Sequence, residues 1–263
     1  VKDDVKVGSA LIVTASVNGP VYASMPKWRT ANLLSWWTFD NLEADRDIQG
    51  SYNGTQVGNP VYTEEDDLTL GRTRRFLRFD GAGDYVDVGD ITELDGAANI
   101  TWAFRFRTPS LGGESTFIAR YNGVGEKQFR FSIETDGSVV LGIEAGGGEA
   151  IATLVAGSIV VDTWYTLMVV YNGGGVGNSG RFQAYLNGVA ITPTFSGQSI
   201  PATLQSVTES IFIGREALTV ANDYTGDILD VSIWEASLSS GEALVWHNDL
   251  VADRIIAGFF KAT

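Results

Sequence analysis

Apolar residues recur at every second position of this chain, and the runs are cut at short intervals by Asn-Gly and Asp-Gly pairs. Over 101–108, Trp102, Phe104 and Phe106 fall on one face and Ala103, Arg105 and Arg107 on the other. Phe129, Phe131 and Ile133 alternate with Arg130, Ser132 and Glu134, and Phe182, Ala184 and Leu186 with Arg181, Gln183 and Tyr185. A period of two is the repeat of a strand with one buried face. Asn-Gly stands at 18–19, 53–54, 122–123, 172–173 and 187–188, and Asp-Gly at 80–81, 95–96 and 136–137. Such pairs supply the positive φ angles of tight hairpin turns. Short strands joined by so many tight turns predict an antiparallel sandwich or barrel. The 31 glycines against 6 prolines, with 11% aromatic residues, agree with a turn-rich β protein.

One stretch reads as helix. Ser239-x-x-Glu242 has the capping-box spacing ahead of Ala243–Ile256, where Leu244, Val251 and Ile255 share a face. The two ends differ from the middle. Ser9–Val17, Asn18-Gly19 and Pro20–Ser24 read as a β-hairpin, which is marginal alone and must lean on something else. Ile255-Ile256-Ala257-Gly258-Phe259-Phe260 is too apolar for a free tail and should pack on the domain or on a neighbour. The expected organisation is therefore an arm over 1–30, a main domain over 31–250 and an apolar tail over 251–263.

Charge narrows the partners. A net charge of −14 argues against a nucleic-acid groove or an anionic membrane surface, both of which need a basic face. There is no run of 18 apolar residues to span a bilayer. The absence of cysteine removes disulfides, thiol catalysis and zinc-thiolate sites.

Several segments, taken in order, resemble the laminin-G-like, concanavalin-A-like jelly roll. Leu34-Ser35-Trp36-Trp37-Thr38-Phe39-Asp40 is similar to its opening strand, followed by the Asp47…Gly50…Asn53-Gly54 turn. Arg78-Phe79-Asp80-Gly81-Ala82-Gly83-Asp84-Tyr85-Val86-Asp87-Val88 resembles its FDG-x-x-DYV strand pair. Ile100–Phe104, Asp162–Leu167 and Tyr185-Leu186-Asn187-Gly188 are similar to its central strands and hairpin. Gly226–Trp234, with Leu238-Ser239…Glu242, resembles its last strand and helix. The resemblance implies an all-β fold, a two-sheet antiparallel jelly-roll sandwich, here with an N-terminal β-hairpin and a short C-terminal helix. It also implies that Trp36, Trp102, Trp164 and Trp234 pack in or at the edge of the core.

Catalysis finds little support. Glycoside hydrolysis needs two carboxyl groups across the scissile bond, and the Glu-x-Asp-x-(x)-Glu strand of the fold's glucanase relatives is missing. Glu43-x-Asp45-x-Asp47 comes nearest, in a loop. The sialidase signature Ser-x-Asp-x-Gly-x-x-Trp is missing too, and the single histidine, His247, falls on the terminal helix. We expect no enzyme. Many relatives hold calcium between loops, and Asp40, Asp47 and Asp230 stand at acidic positions of that pattern, with Asp84 another acidic loop residue. Leu229 replaces the first aspartate of the usual closing pair, so a structural Ca2+ and simple surface solubility stay open as alternatives.

Thirteen of the 18 basic residues are arginine. Arg105, Arg107, Arg130 and Arg181 fall on polar strand faces, with Gln183 and Tyr185 near them in the pattern. Where these strands adjoin, they make one surface suited to an acidic or neutral glycan, through arginine forks and a stacking tyrosine. The alternative is a solvated face whose arginines pair with Glu134 and other carboxylates. A loop rim of Tyr121-Asn122, Gly173–Gly180 and Asn222-Asp223-Tyr224 is a second candidate. The expected function is a non-catalytic, surface-displayed module, extracellular or on a virion, that recognises a glycan or surface polysaccharide. Residues 1–30 and 251–263 would contact protein neighbours in an oligomer or assembly. A purely structural assembly protein without ligand is the second reading.

Overall fold

Strand β6 (Asn99–Arg107) follows its alternation closely: Trp102, Phe104 and Phe106 point into the core, and Arg105 and Arg107 point to the other face. The computed structural model describes residues 31–39, 46–49, 51–67, 72–121, 127–217 and 222–251. Among these, two antiparallel sheets of eight strands pack face to face. The first runs β13 (Val189–Ile191), β12 (Phe182–Leu186), β11 (Tyr165–Asn172), β6, β16 (Thr225–Trp234), β4 (Arg72–Asp80), β3 (Val61–Asp67). The second runs β14 (Thr194–Gly197), β10 (Glu149–Leu154), β9 (Val139–Glu144), β8 (Lys127–Ile133), β7 (Ser115–Tyr121), β15 (Phe212–Ile213), β5 (Tyr85–Asp87), β2 (Thr55–Val57). Strand β16 has three partners. It pairs with β6 on one side; on the other it pairs with β4 over Thr225–Ile228 and with β1 (Leu33–Thr38) over Asp230–Trp234.

The jelly-roll sandwich expected from the sequence is the observed architecture. Its core is aromatic where β6 crosses the second sheet. Trp102 lies 5.1 Å from Phe129 and 5.2 Å from Phe131, and Phe117 sits 5.0 Å from Phe104 and 5.2 Å from Phe106. The β12–β13 hairpin turns on Asn187 and Gly188, with φ of 51° and 75°, the two positive angles a type I′ turn requires. The N-terminal hairpin (1–30), the tail from 252 onward and Asp40 lie outside the described residues, so the assembly expectation built on the two ends does too. No helix among the described residues is long and apolar enough to cross a membrane.

After a short helix α1 (Gly177–Arg181), helix α2 (Ser240–Val251) closes the chain. Its capping box is formed: the Ser239 amide donates to Glu242 Oε2 at 2.6 Å and the Glu242 amide to Ser239 Oγ at 3.3 Å. The expected face is corrected. Ala243 and Trp246 are buried against Trp36, Met168, Tyr185 and Trp234 on the outside of the first sheet, whereas Leu244 is 47% exposed. The apolar cluster on the outside of the first sheet meets the helix at the Ala243–Trp246 stripe, and that contact sets the helix's rotation.

His247 adds a polar anchor, its Nδ1 sharing a 2.7 Å hydrogen bond with Thr166 Oγ1. Burial pushes its pKa below the ordinary 6.5. The unfolded chain therefore binds the proton more readily than the folded one. This contribution to stability is complete above about pH 6.5 and is lost as pH falls through the depressed folded value. The urea midpoint should fall on acidification from about pH 7.5 to about pH 5.5, and the slope should flatten in His247→Gln. An unchanged slope in that variant would remove His247 from the account. Glu134 and Glu216, both pushed above 4.5 by burial, act in the opposite sense at lower pH.

Candidate functional site

Three adjacent strands of the first sheet, β4, β16 and β6, bring charged residues together on its outer face, and in β4 these alternate with an aromatic ring. In β4 these are Arg74, Phe76 and Arg78, since Leu77 and Phe79 face the core. The ladder places Asp227 of β16 opposite Arg78 of β4 and Arg107 of β6, so one carboxylate stands between two guanidinium groups. Arg78 donates from Nε to Asp227 Oδ1 at 2.7 Å and from Nη2 to Oδ2 at 3.0 Å. Arg107 donates to Oδ2 from Nε at 3.0 Å and from Nη2 at 2.7 Å, and its Nη1 lies 2.7 Å from Glu65 Oε2 of β3. Bidentate pairs of this kind fix orientation as well as charge.

Aromatic rings support the arginines. The Arg107 guanidinium lies 4.8 Å from the Trp164 ring centre and 5.2 Å from that of Phe76, and the two rings meet edge to face at 5.4 Å. Hydrogen bonding to Asp227 raises the pKa of Arg78. For Arg107, burial alone would lower it, but the bonds to Asp227 and Glu65 prevail and the group sits above its ordinary value. Both stay charged.

At the end of these strands the surface opens into a cleft of about 520 Å³, within the range of small-molecule sites. Arg78, Arg107 and Asp227 form one wall, and Asp80, Asp162 and Thr225 bring in the loops. Asp162 is exposed, with φ 55°, and its amide donates to the Thr108 carbonyl at 2.8 Å. Thr225 is held on both sides: its amide donates to Ser115 Oγ at 3.0 Å and its carbonyl accepts from Thr108 Oγ1 at 3.0 Å. Gly81 crosses beside it with φ +79°, and a Cβ there would stand 2.1 Å from Thr225 Oγ1. Only glycine gives both that backbone angle and that approach.

The six arginine, glutamine and tyrosine candidates do not share one surface. Arg105 and Arg107 lie on the outer face of the first sheet, with Arg105 buried and 5.7 Å from the Trp164 ring. Tyr185 is on that face but buried near α2, and its hydroxyl donates to Gln183 Oε1 at 3.0 Å. Gln183 is exposed. Arg181 donates to the carbonyls of Ile200 at 2.7 Å and Gly175 at 3.2 Å, closing the α1 loop. Arg130 belongs to β8, paired with β7 and β9 in the second sheet, and is engaged by Glu149 at 2.8 Å and by Glu114. A polar face in the sequence does not say which sheet carries it. Glu149 reaches Arg130 across β9 because residue 142 is glycine; a Cβ there would meet Glu149 Oε1 at 2.2 Å.

The acidic candidates also separate. Asp47 is a loop organiser: Oδ1 accepts from the amides of Trp36 (2.8 Å) and Gln49 (3.0 Å), and Oδ2 from those of Ser51 (3.2 Å) and Tyr52 (3.1 Å). Asp84 accepts from the amides of Asn59 at 2.7 Å and Asp80 at 3.2 Å. Asp230 Oδ1 accepts from Trp36 Nε1 at 3.0 Å. Calcium takes six to eight oxygens directed at one point, whereas these oxygens are turned toward N–H donors in separate places. Among the described residues no three His, Asp or Glu side chains gather to hold a metal. Asp47, Asp84 and Asp230 thus do not gather as one ligand set, and Asp40 lies outside the described residues.

Of the loop rim, Asn122 lies outside the described residues and Tyr224 is fully buried, its hydroxyl donating to the Arg107 carbonyl at 2.9 Å. Asp223 accepts from the Gly83 amide at 2.8 Å and pairs with Arg215 at 2.9 Å. Sequence reasoning passed over Arg78, Asp80, Asp162 and Asp227. The Arg74-Phe76-Arg78 alternation was a visible sign of an outer face; the loops' convergence was not.

A family model described as the concanavalin A-like lectin/glucanases superfamily matches residues 80–243, more than half of the chain. No curated protein sequence matches it. Among solved structures, one that resembles it is domain 4 of AbnA, an extracellular arabinanase of glycoside hydrolase family 43 from Geobacillus stearothermophilus, in complex with arabinotriose. That likeness has 16% identity and a TM-score of 0.58, and covers 82% of this chain and 98% of that one. The binding domain of Paraclostridial Mosquitocidal Protein 1 aligns with 14% identity and a TM-score of 0.63, over 83% of this chain and 52% of that one. A Trypanosoma rangeli sialidase in complex with 2,3-difluoro-KDN aligns with 13% identity and a TM-score of 0.59, over 84% and 33%. The chain thus spans about half of the toxin domain and a third of the sialidase. Identities this low carry the fold alone.

Proposed function

The chain belongs to the concanavalin A-like lectin/glucanase superfamily, and from that premise we propose that it is a non-catalytic glycan-recognition module binding in the cleft at Arg78, Arg107, Asp162 and Asp227. The observation that carries this reading is the cleft itself. Its polar groups are charged, rigidly paired and placed at the mouth of a sandwich, with exposed oxygens on Asp80 and Asp162 to accept from sugar hydroxyls. Sugar sites need such prearranged acceptors and donors, because each hydroxyl gives up water on binding. The arabinotriose-bound arabinanase domain and the sialidase among the structural neighbours support a carbohydrate ligand. The extracellular setting of that arabinanase supports a place outside the cell.

A binding role fits the cleft better than hydrolysis. A glycosidase holds one carboxyl as proton donor and another as base or nucleophile across the bond. In this cleft the Asp227 oxygens are both engaged by arginine N–H groups. The carboxyl groups pushed upward by burial, Glu134 and Glu216, feel Arg130 on the second sheet instead.

A glycan array probed with the full chain, with calcium and again with a chelator, tests the proposal. A specific hit indifferent to chelator is expected, as Asp47, Asp84 and Asp230 do not converge. In titration calorimetry of that hit, Arg78→Ala and Asp162→Asn should each weaken binding by about tenfold or more, the scale of one hydrogen bond to a charged group. Asp162 is exposed, so Asp162→Asn should not shift the melting temperature noticeably; Arg78→Ala strips two hydrogen bonds from the buried Asp227 and should lower it modestly, Arg107 keeping that carboxylate paired. A blank array, or full affinity in both variants, overturns the proposal.

A further inference from the structure

Beside the cleft lies a second depression of about 250 Å³, and the two share Thr225. Asp80 borders the first and Gly81 the second, so consecutive residues of one turn separate them. The smaller falls below the volume of a self-standing ligand site. As a continuation of the larger it extends it past Thr225, toward Ser110, Gly113, Glu114 and Ser115. The ridge between them is fixed. Thr225 is bonded through both its amide and its carbonyl, and Gly81, without a side chain, leaves the crossing open.

The charge along this path is one-sided. Both arginines of the cleft are already bonded, Arg78 to Asp227 and Arg107 to Asp227 and Glu65. Arg215 pairs with Asp223 next to the smaller depression. Asp80 and Asp162 are exposed and have acceptor capacity to spare, and Glu114 keeps one oxygen beyond the one that pairs with Arg130. Five carboxylates (Asp80, Asp162, Asp227, Glu114 and Asp223) line the two depressions against two guanidinium groups, so a sugar carboxylate laid here would meet an excess of like charge, and the chain's net charge of −14 opposes anionic polymers at longer range. Sugar hydroxyls are donors and meet no such penalty.

Resting on the glycan reading above, we infer that the two depressions form one groove that takes an internal stretch of a neutral polysaccharide, at least three units long, and discriminates against uronic or sialic acid chains. The larger depression holds the first units and the smaller one the next, with the chain crossing at Thr225. Gly113 lines the smaller depression with nothing within 4 Å of the place a Cβ would take, and its φ is not in the left-handed region. A large side chain there blocks the smaller depression and leaves the larger intact.

The test is calorimetry on the full chain with neutral arabino-, xylo- and cello-oligosaccharides, each from monosaccharide to pentasaccharide, and with oligogalacturonides of the same lengths at low ionic strength. In the neutral series that binds, affinity should rise about tenfold or more from monosaccharide to trisaccharide, and the uronic series should be weaker by about tenfold or more. Gly113→Phe should return the trisaccharide to monosaccharide affinity with an unchanged melting temperature, while Gly113→Ala should keep the length dependence. Affinity independent of length, or a trisaccharide unaffected by Gly113→Phe, overturns the groove and leaves the glycan reading standing. Tighter binding of the uronic series overturns the neutral preference alone. Silence in every series sinks the glycan reading, and this inference with it.

Discussion

Replacing Arg120 by alanine is expected to cost about 3–5 kcal/mol of stability and to lower the melting temperature by on the order of 10 °C. The side chain is fully buried, and all five of its N–H donors are used. Nε donates to the Glu209 carbonyl at 3.0 Å. Nη1 donates to Asp95 Oδ1 at 3.0 Å and Gln128 Oε1 at 3.1 Å, and Nη2 donates to Asp90 and to the Val207 carbonyl at 2.9 Å. One guanidinium therefore ties the loop on either side of 92–94 and the segment 207–209 to strand β7. Removing it leaves two carboxylates and two carbonyls facing a void, which is why loss of one partner is worse than the pair was good. Arg120→Lys should recover only a minor part, since an ammonium has three donors and no fork. Urea unfolding at constant slope measures the change; a loss below about 1 kcal/mol would mean the loops are held by other means.

Trp102→Ala should be comparably damaging, by about 3–5 kcal/mol, and Trp102→Phe unusually mild. The indole is fully buried and in contact with Phe129 and Phe131, so truncation opens a cavity in the aromatic part of the core. Its Nε1, however, has no hydrogen-bond partner among the described residues. An unpaired buried N–H costs about 1–3 kcal/mol, which Trp102→Phe removes along with some volume. The two terms offset, and the net change should stay within about 1 kcal/mol. A Phe variant as unstable as the Ala variant would show that the indole is held by a partner after all.

The strands were legible because one face of each is buried, so period two survives in β6, β8 and β12. The Asn187-Gly188 turn and the Ser239–Glu242 cap were legible because their chemistry is local. The site was legible only in part. Arg105 and Arg107 were singled out, but the strand order that places β6 between β11 and β16, and β8 in the other sheet, leaves no trace in alternation. Asp227 is 149 residues from Arg78, and nothing local marks either as the other's partner. Asp47 read as a metal ligand because an acidic loop residue looks alike in both roles. The four amides that converge on it are a property of the folded loop.

The three-way pairing of β16 has a consequence for how the chain is made. This strand is among the last in sequence, yet it lies between β6 and the β1–β4 side of the first sheet. Until residues 225–234 leave the ribosome, β6 on one side and β1 and β4 on the other each carry an open hydrogen-bonding edge. Such edges are templates for unwanted pairing, and contacts spanning this much sequence form slowly. The first sheet of the nascent domain therefore cannot be completed before residues 225–234 emerge, and its open edges stay exposed to misassembly until then.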